Sequence, residues 1–184
     1  MCGIAGIVDL TGQNVAPADA LRAMAQAILH RGPDEGGFLE SEPRLGLASR
    51  RLSIVGLADG RQPITNEDGS VAVVYNGELF DYPELRAELT SKGHQLRTST
   101  DTEVIPHFWE DLQEDIFPKL KGQFAFALWD AKRQTLILAR DRFGICPLYW
   151  TRQKTESGDW LLFASEIRAL LASGMVKAKP DLRG

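Results

Sequence analysis

Residues 3–9 (GIAGIVD) form a short apolar run closed by a Leu-Thr-Gly-Gln-Asn turn, the pattern of a buried strand. From Asp19 the apolar positions fall at Leu21, Met24, Ala25, Ile28 and Leu29, one face of a helix, and His30-Arg-Gly-Pro-Asp ends it. Residues 44–55 and 70–75 are strand-like. Asp81, Pro83 and Glu84 read as a helix start, with Asp81 as cap, Leu85 and Leu89 on one face and Lys92-Gly93 as the stop. Val104, Ile105, Phe108, Trp109 and Leu112 mark a further amphipathic helix. Pro106 sits where a hydrogen-bonded N–H is expected, so a kink or a later start is anticipated. Residues 122–130 and 134–140 alternate as two strands around a tight turn, residues 147–150 and 159–165 as another pair, and a short helix is expected near 165–172. Many short strands with a few helices imply a mixed α/β domain, with two facing sheets covered by helices as the fitting arrangement.

The composition narrows the class. A chain of 184 residues with 43% hydrophobic and 25% charged residues can bury a core and suggests one domain. The net charge of −4, with no basic stripe, argues against a nucleic-acid face. Two cysteines, Cys2 and Cys146, do not make a disulfide framework and fit a reducing compartment. No stretch approaches the roughly 20 apolar residues of a membrane helix. The apolar N-terminus has no basic segment before it, so it is not read as a signal peptide; a cytoplasmic location is the expectation.

Cys2 follows the initiator methionine. Removal of Met1 would leave a thiol and a free α-amine on one residue, a compact nucleophile–base pair. A thiol pKa of about 8.5 and an α-amine pKa of about 7.7–8.0 suit proton exchange between them. Taken alone, position 2 reads more readily as a small buried residue. Likewise Asn76-Gly77 alone reads as a hairpin turn after residues 70–75, Arg51 as a surface charge, and Asp101 as a helix N-cap. Strand alternation would send Arg50 and Arg51 to opposite faces.

The segments MCGIAGI (1–7), HRGPD (30–34), RLSIV (51–55), YNGE (75–78), STDTEV (99–104) and RDRFG (140–144) change this balance. Their order and spacing resemble class II glutamine amidotransferases, and within them the glutaminase half of asparagine synthetase. The likeness runs from residue 1 to about residue 170. It implies a four-layer αββα sandwich of the N-terminal-nucleophile hydrolase type. It implies that Cys2 attacks the side-chain amide of L-glutamine through a thioester, releasing glutamate and ammonia. Asn76 and Gly77 would supply the oxyanion donors, Arg51 would pair the substrate carboxylate, and Asp101 its ammonium. Leu52, Ile54 and Val55 would line the pocket, and Glu78 would add a polar contact.

No cofactor is implied for this domain, taken as residues 1–184. ATP and Mg belong to a C-terminal synthetase domain, and no phosphate loop for one lies in this sequence. That domain is the implied partner, the ammonia acceptor being aspartate or another activated acid; membrane and nucleic acid are not implied, and a homodimer is left open. His30 reads as a loop or lid residue. His94 and His107 show no metal-ligand spacing, so no metal is expected. Cys146, where relatives often carry Lys, reads as packing or interface. Phe80-Asp-Tyr replaces the Tyr-Asn common in relatives and is expected to alter packing only. A binding module without turnover, and a cysteine peptidase needing a paired histidine, are the competing readings.

Overall fold

The computed structural model describes residues 2–40, 42–53 and 59–179. Nine strands form two antiparallel sheets among these residues: β1 (Gly3–Asp9), β2 (Glu35–Leu39), β3 (Leu45–Arg51), β4 (Ile64–Thr65), β5 (Val71–Leu79), β6 (Gly122–Asp130), β7 (Thr135–Arg140), β8 (Tyr149–Thr155) and β9 (Gly158–Ala164). The first sheet has the order β2-β3-β1-β9-β8 and the second β4-β5-β6-β7. Helix α1 (Ala18–Ala27) and helix α4 (Ile167–Ala172) cover the first sheet. Helix α2 (Tyr82–Ser91) and helix α3 (Val104–Leu112) cover the second.

Strand alternation builds the layers. Along β1, Ile4 and Val8 face inward and meet Val74, Ala127 and Trp129 of the second sheet. Ala5 and Ile7 face outward onto Leu21, Met24 and Ala25 of α1 and Ile28 at its C-cap. Along β5, Val73 and Tyr75 pack under Leu89, Val104 and Phe108 of the helices, while Val74 turns to the inner layer. The result is an αββα sandwich with three apolar layers. Each large side chain buried in them, Phe108 or Trp109 for example, contributes roughly 1.5–3 kcal/mol of transfer free energy. Among the described residues, no helix is long and apolar enough to cross a membrane.

Several local expectations change. Asn76-Gly77 is not a hairpin turn: β5 runs through it to Leu79, pairing Asn76 with Ala125 and Gly77 with Phe124. Pro106 does not delay α3: the helix begins at Val104, and a proline at its third position needs no backbone N–H partner. Asp81 stands at the N-cap of α2 but makes no capping bond; its carboxylate pairs with Lys121 Nζ at 2.8 Å. The strand expected over 44–55 ends at Arg51.

Candidate active site

The inner layer carries polar side chains at one end of the sandwich. On β3, Leu45 and Leu47 face inward, so alternation turns Arg51 the same way and Arg50 outward. Arg50 Nε accordingly donates to the carbonyl oxygen of Ala25 in α1 at 3.3 Å. On β5 the inward face that holds Val74 next presents Asn76. Cys2 precedes β1 on the inward face of Ile4 and Val8. One pocket is lined by Cys2, Arg51, Leu52, Asn76, Gly77, Glu78 and Asp101, with Gly60, Gln62, Tyr75, Thr100, Thr102, Gln123 and Cys146 completing its wall.

Cys2 is held by its backbone. Arg31 Nε donates to the Cys2 carbonyl oxygen at 2.9 Å, and Arg31 Nη1 pairs with Glu166 Oε1 at 3.1 Å. His30, in the 3-10 turn Leu29–Arg31, reaches the same carboxylate through Nε2 at 2.9 Å. The Cys2 thiol is half-buried, with its Sγ 3.7 Å from the carbonyl oxygen of Leu52.

Arg51 and Asp101 are both buried charges on the pocket wall. Arg51 Nη1 makes an ion pair with Glu35 Oε2 at 2.8 Å, the two residues being cross-strand neighbours of β3 and β2. Its guanidinium lies against Gly60, where an added Cβ would collide with Nη2. Asp101 Oδ2 accepts from the Leu79 N–H at 3.0 Å and from the Tyr75 hydroxyl at 3.2 Å. Burial pushes the Asp101 carboxyl above the usual carboxylate range, partly offset by those hydrogen bonds. Burial, and then the Asp101 charge, push the Tyr75 phenol well up, so Tyr75 stays neutral and donates. Asp101 does not act as the side-chain cap of α3; the cap position is Glu103, and no side-chain capping bond is made.

Asn76 is fully buried, and neither Nδ2 nor Oδ1 has a hydrogen-bond partner among the described residues. A buried amide without partners is costly, on the order of 1–3 kcal/mol, unless something else uses it. Gly77 beside it has φ +154, and a Cβ there would run into the Gln123 carbonyl oxygen and stand 2.6 Å from Phe124 Cα. Only glycine fits the strand at that point. Glu78 is exposed at the pocket mouth opposite Gln123.

A family model described as a glutamine amidotransferase domain matches residues 1–184. The chain belongs to that family. It is a class II glutamine amidotransferase domain. It is 40% identical over 186 residues to a glutamine-hydrolysing asparagine synthetase 3 of Bacillus subtilis, covering 100% of this chain and 30% of that protein. It is 42% identical over 174 residues to asparagine synthetase 2 of the same organism, covering 94% of this chain and 22% of that protein. The chain therefore spans less than a third of the length of these curated relatives. The fold matches glutamine phosphoribosylpyrophosphate amidotransferase from B. subtilis with a TM-score of 0.72 at 23% identity, over 94% of this chain and 44% of that one.

Within this amidotransferase domain, Ile54 and Val55 lie outside the described residues, while Leu52 lines the pocket. Cys146 is brought to the pocket wall by the loop after β7. Asp141 accepts N–H groups from Phe143, Ile145, Cys146 and Phe124, at 3.0–3.3 Å, and so shapes that loop. Burial and the Asp141 charge push the Cys146 thiol up, which keeps it protonated. Sequence reasoning missed Arg31, Glu35, Gly60 and Gln62. Arg31 and Glu35 lie in or beside the HRGPD motif, which was the available signal. His94 and His107, far apart in sequence, meet Glu67 and Glu110 in a cluster none of whose members lines the Cys2 pocket.

Proposed function

We propose that this domain hydrolyses the side-chain amide of L-glutamine to glutamate and ammonia, with Cys2 as nucleophile. Once Met1 is removed, the α-amine of Cys2 takes the thiol proton. The sulfur adds to the amide carbon, and the carbonyl oxygen becomes an oxyanion facing Asn76 Nδ2 and the Gly77 N–H. Collapse breaks the C–N bond, the amine returns its proton to the departing ammonia, and a γ-glutamyl thioester remains. Water then adds to the thioester, frees glutamate and restores the thiol. Arg51 takes the substrate α-carboxylate and Asp101 its α-ammonium. No cofactor enters these steps.

The observation that carries this reading is the Asn76 amide, buried beside Cys2 and without a hydrogen-bond partner among the described residues. A preorganised donor left unused there is suited to charge that develops only during reaction. The family supports the reaction class, and the asparagine synthetases among the relatives favour aspartate activation by an ATP- and Mg-dependent partner domain as the destination of the ammonia. The exposed side chains of Phe80, Phe143 and Ile145 around an apolar groove supply a surface for such a partner. The test is intact mass together with glutamate release on one preparation. A chain lacking methionine should release glutamate, and Cys2→Ala should not. Turnover that persists in Cys2→Ala overturns the mechanism, and glutamine binding without turnover in the processed chain favours a binding module.

A further inference from the structure

The second polar cluster lies where the turn after β4, the segment after α2 and helix α3 converge. Glu67 comes from the turn, His94 from the segment following the Lys92-Gly93 stop, and His107 and Glu110 from one face of α3 at i, i+3 spacing. His94 Nδ1 is 3.1 Å from Glu67 Oε1, and His107 Nδ1 is 3.0 Å from Glu67 Oε2. The two Nδ1 atoms are 3.3 Å apart, and one ligand atom from each of the four residues lies within 4.8 Å of every other.

The separations among the Glu67, His94 and His107 atoms, 3.0–3.3 Å, are near those of a coordination shell, with a Glu110 oxygen within 4.8 Å. Four ligands at about 2.0–2.1 Å from a tetrahedral zinc ion stand about 3.3 Å from one another. The far-side nitrogen of His94 meets a carboxylate, Nε2 lying 3.3 Å from Asp111 Oδ1, whereas His107 Nε2 stands 3.8 Å from Glu103 Oε1, beyond hydrogen-bond reach. Carboxylates behind imidazoles orient metal-binding histidines and raise their basicity. His107 is fully buried, whereas His94 and Glu67 reach solvent and leave a route of entry.

A cluster held by hydrogen bonds alone is the competing account. It serves His94 Nδ1 through Glu67 Oε1, but sets the two Nδ1 atoms against each other at 3.3 Å and leaves Glu110 Oε2 buried with no hydrogen-bond partner among the described residues. A cation would use the Glu110 oxygen and accept both facing Nδ1 lone pairs, and two carboxylates with two neutral imidazoles balance a dication.

We propose that Glu67, His94, His107 and Glu110 form a structural site for a divalent transition metal of the zinc class, separate from the Cys2 pocket. It would tie α3, whose preceding residues Thr100, Asp101 and Thr102 line that pocket, to the turn after β4. Oxygen and nitrogen donors without thiolate favour zinc or cobalt(II) over copper(I).

The test is titration of zinc into the chelator-stripped Cys2→Ala chain, which removes the Cys2 thiol as a rival ligand, followed by calorimetry and thermal melting. One equivalent should bind, and a hundredfold excess of zinc over its Kd should raise Tm by roughly 5–10 °C. Cobalt(II) should give the intense visible bands of a tetrahedral site. Because His107 is buried and its loss can unfold the chain, the deciding variants are His94→Gln and Glu110→Gln on the same background. Each should weaken zinc binding at least tenfold and, at the same zinc concentration, cut the Tm shift to about half or less. No stoichiometric binding in the Cys2→Ala chain, or binding undiminished in both variants, overturns the site.

Discussion

Arg31 Nε holds the carbonyl oxygen of Cys2 at 2.9 Å, with the same guanidinium pinned by Glu166 at 3.1 Å. This bond spans 29 residues of sequence and fixes the backbone of the proposed nucleophile from behind. Arg31→Ala should lower kcat/KM for glutamine by about 10²-fold, the cost expected of a reacting atom displaced by roughly an ångström. Arg31→Lys should recover only part, because one ammonium cannot reproduce the two-sided fork. Parent-like steady-state kinetics in Arg31→Ala would remove Arg31 from the positioning machinery.

Asn76 gives a different signature. Its amide makes no hydrogen bond among the described residues, so truncation takes none of those partners away. Asn76→Ala should therefore leave Tm within a few degrees of the parent while kcat falls about 10²–10³-fold and KM changes little. A large Tm loss with unchanged kcat would make Asn76 a packing residue.

Much of this architecture is legible in the chain, and the illegible parts have physical causes. The stripe Leu21, Met24, Ala25, Ile28 gives α1, and the alternation in residues 122–130 gives β6. β2 escapes because Gly36 and Gly37 carry no side chain to show a period; at Gly37 an added Cβ would collide with the Gln62 carbonyl oxygen. β4 is two residues long, too short for any period. In the site, strand parity sends Arg50 and Arg51 to opposite faces, as the structure has them, but only the family motif picks Arg51 as the one facing the pocket. The Arg31–Cys2 and Arg51–Glu35 contacts were not legible, since strand pairing and the first turn after α1 create them across distances no local pattern records. The histidine cluster escapes for the same reason, its members lying on three separate segments.

Asp101 leads to a pH prediction. Its folded pKa is raised by burial, so its contribution to stability is present at low pH and is lost as pH rises through the folded pKa. Asp101→Asn, which keeps an acceptor for Tyr75 and the Leu79 N–H, should melt no lower than the parent at pH 7. The ionised form is the one that pairs with an α-ammonium, so the parent's KM for glutamine should fall as pH rises through that pKa. In Asp101→Asn the KM should be about 10²-fold higher and should lose this acid limb, with kcat within about tenfold. A parent-like KM and pH profile in the variant would place the ammonium elsewhere.

Gly60 tests the other end of the substrate. A Cβ at this position would meet the Arg51 guanidinium and stand 2.6 Å from Thr100 Cγ2, so the side chain of Arg51 has to swing away. Arg51 is buried and paired with Glu35, which limits where it can go. Gly60→Ala should therefore raise KM for glutamine about tenfold or more while kcat at saturation holds, because Cys2, Asn76 and Gly77 are untouched. Removing the substrate's α-carboxylate should erase the difference: on a glutamine α-amide, parent and Gly60→Ala should react at comparable kcat/KM. If the variant stays impaired on that amide, Gly60 shapes the pocket as a whole, and Arg51 is not the carboxylate's anchor.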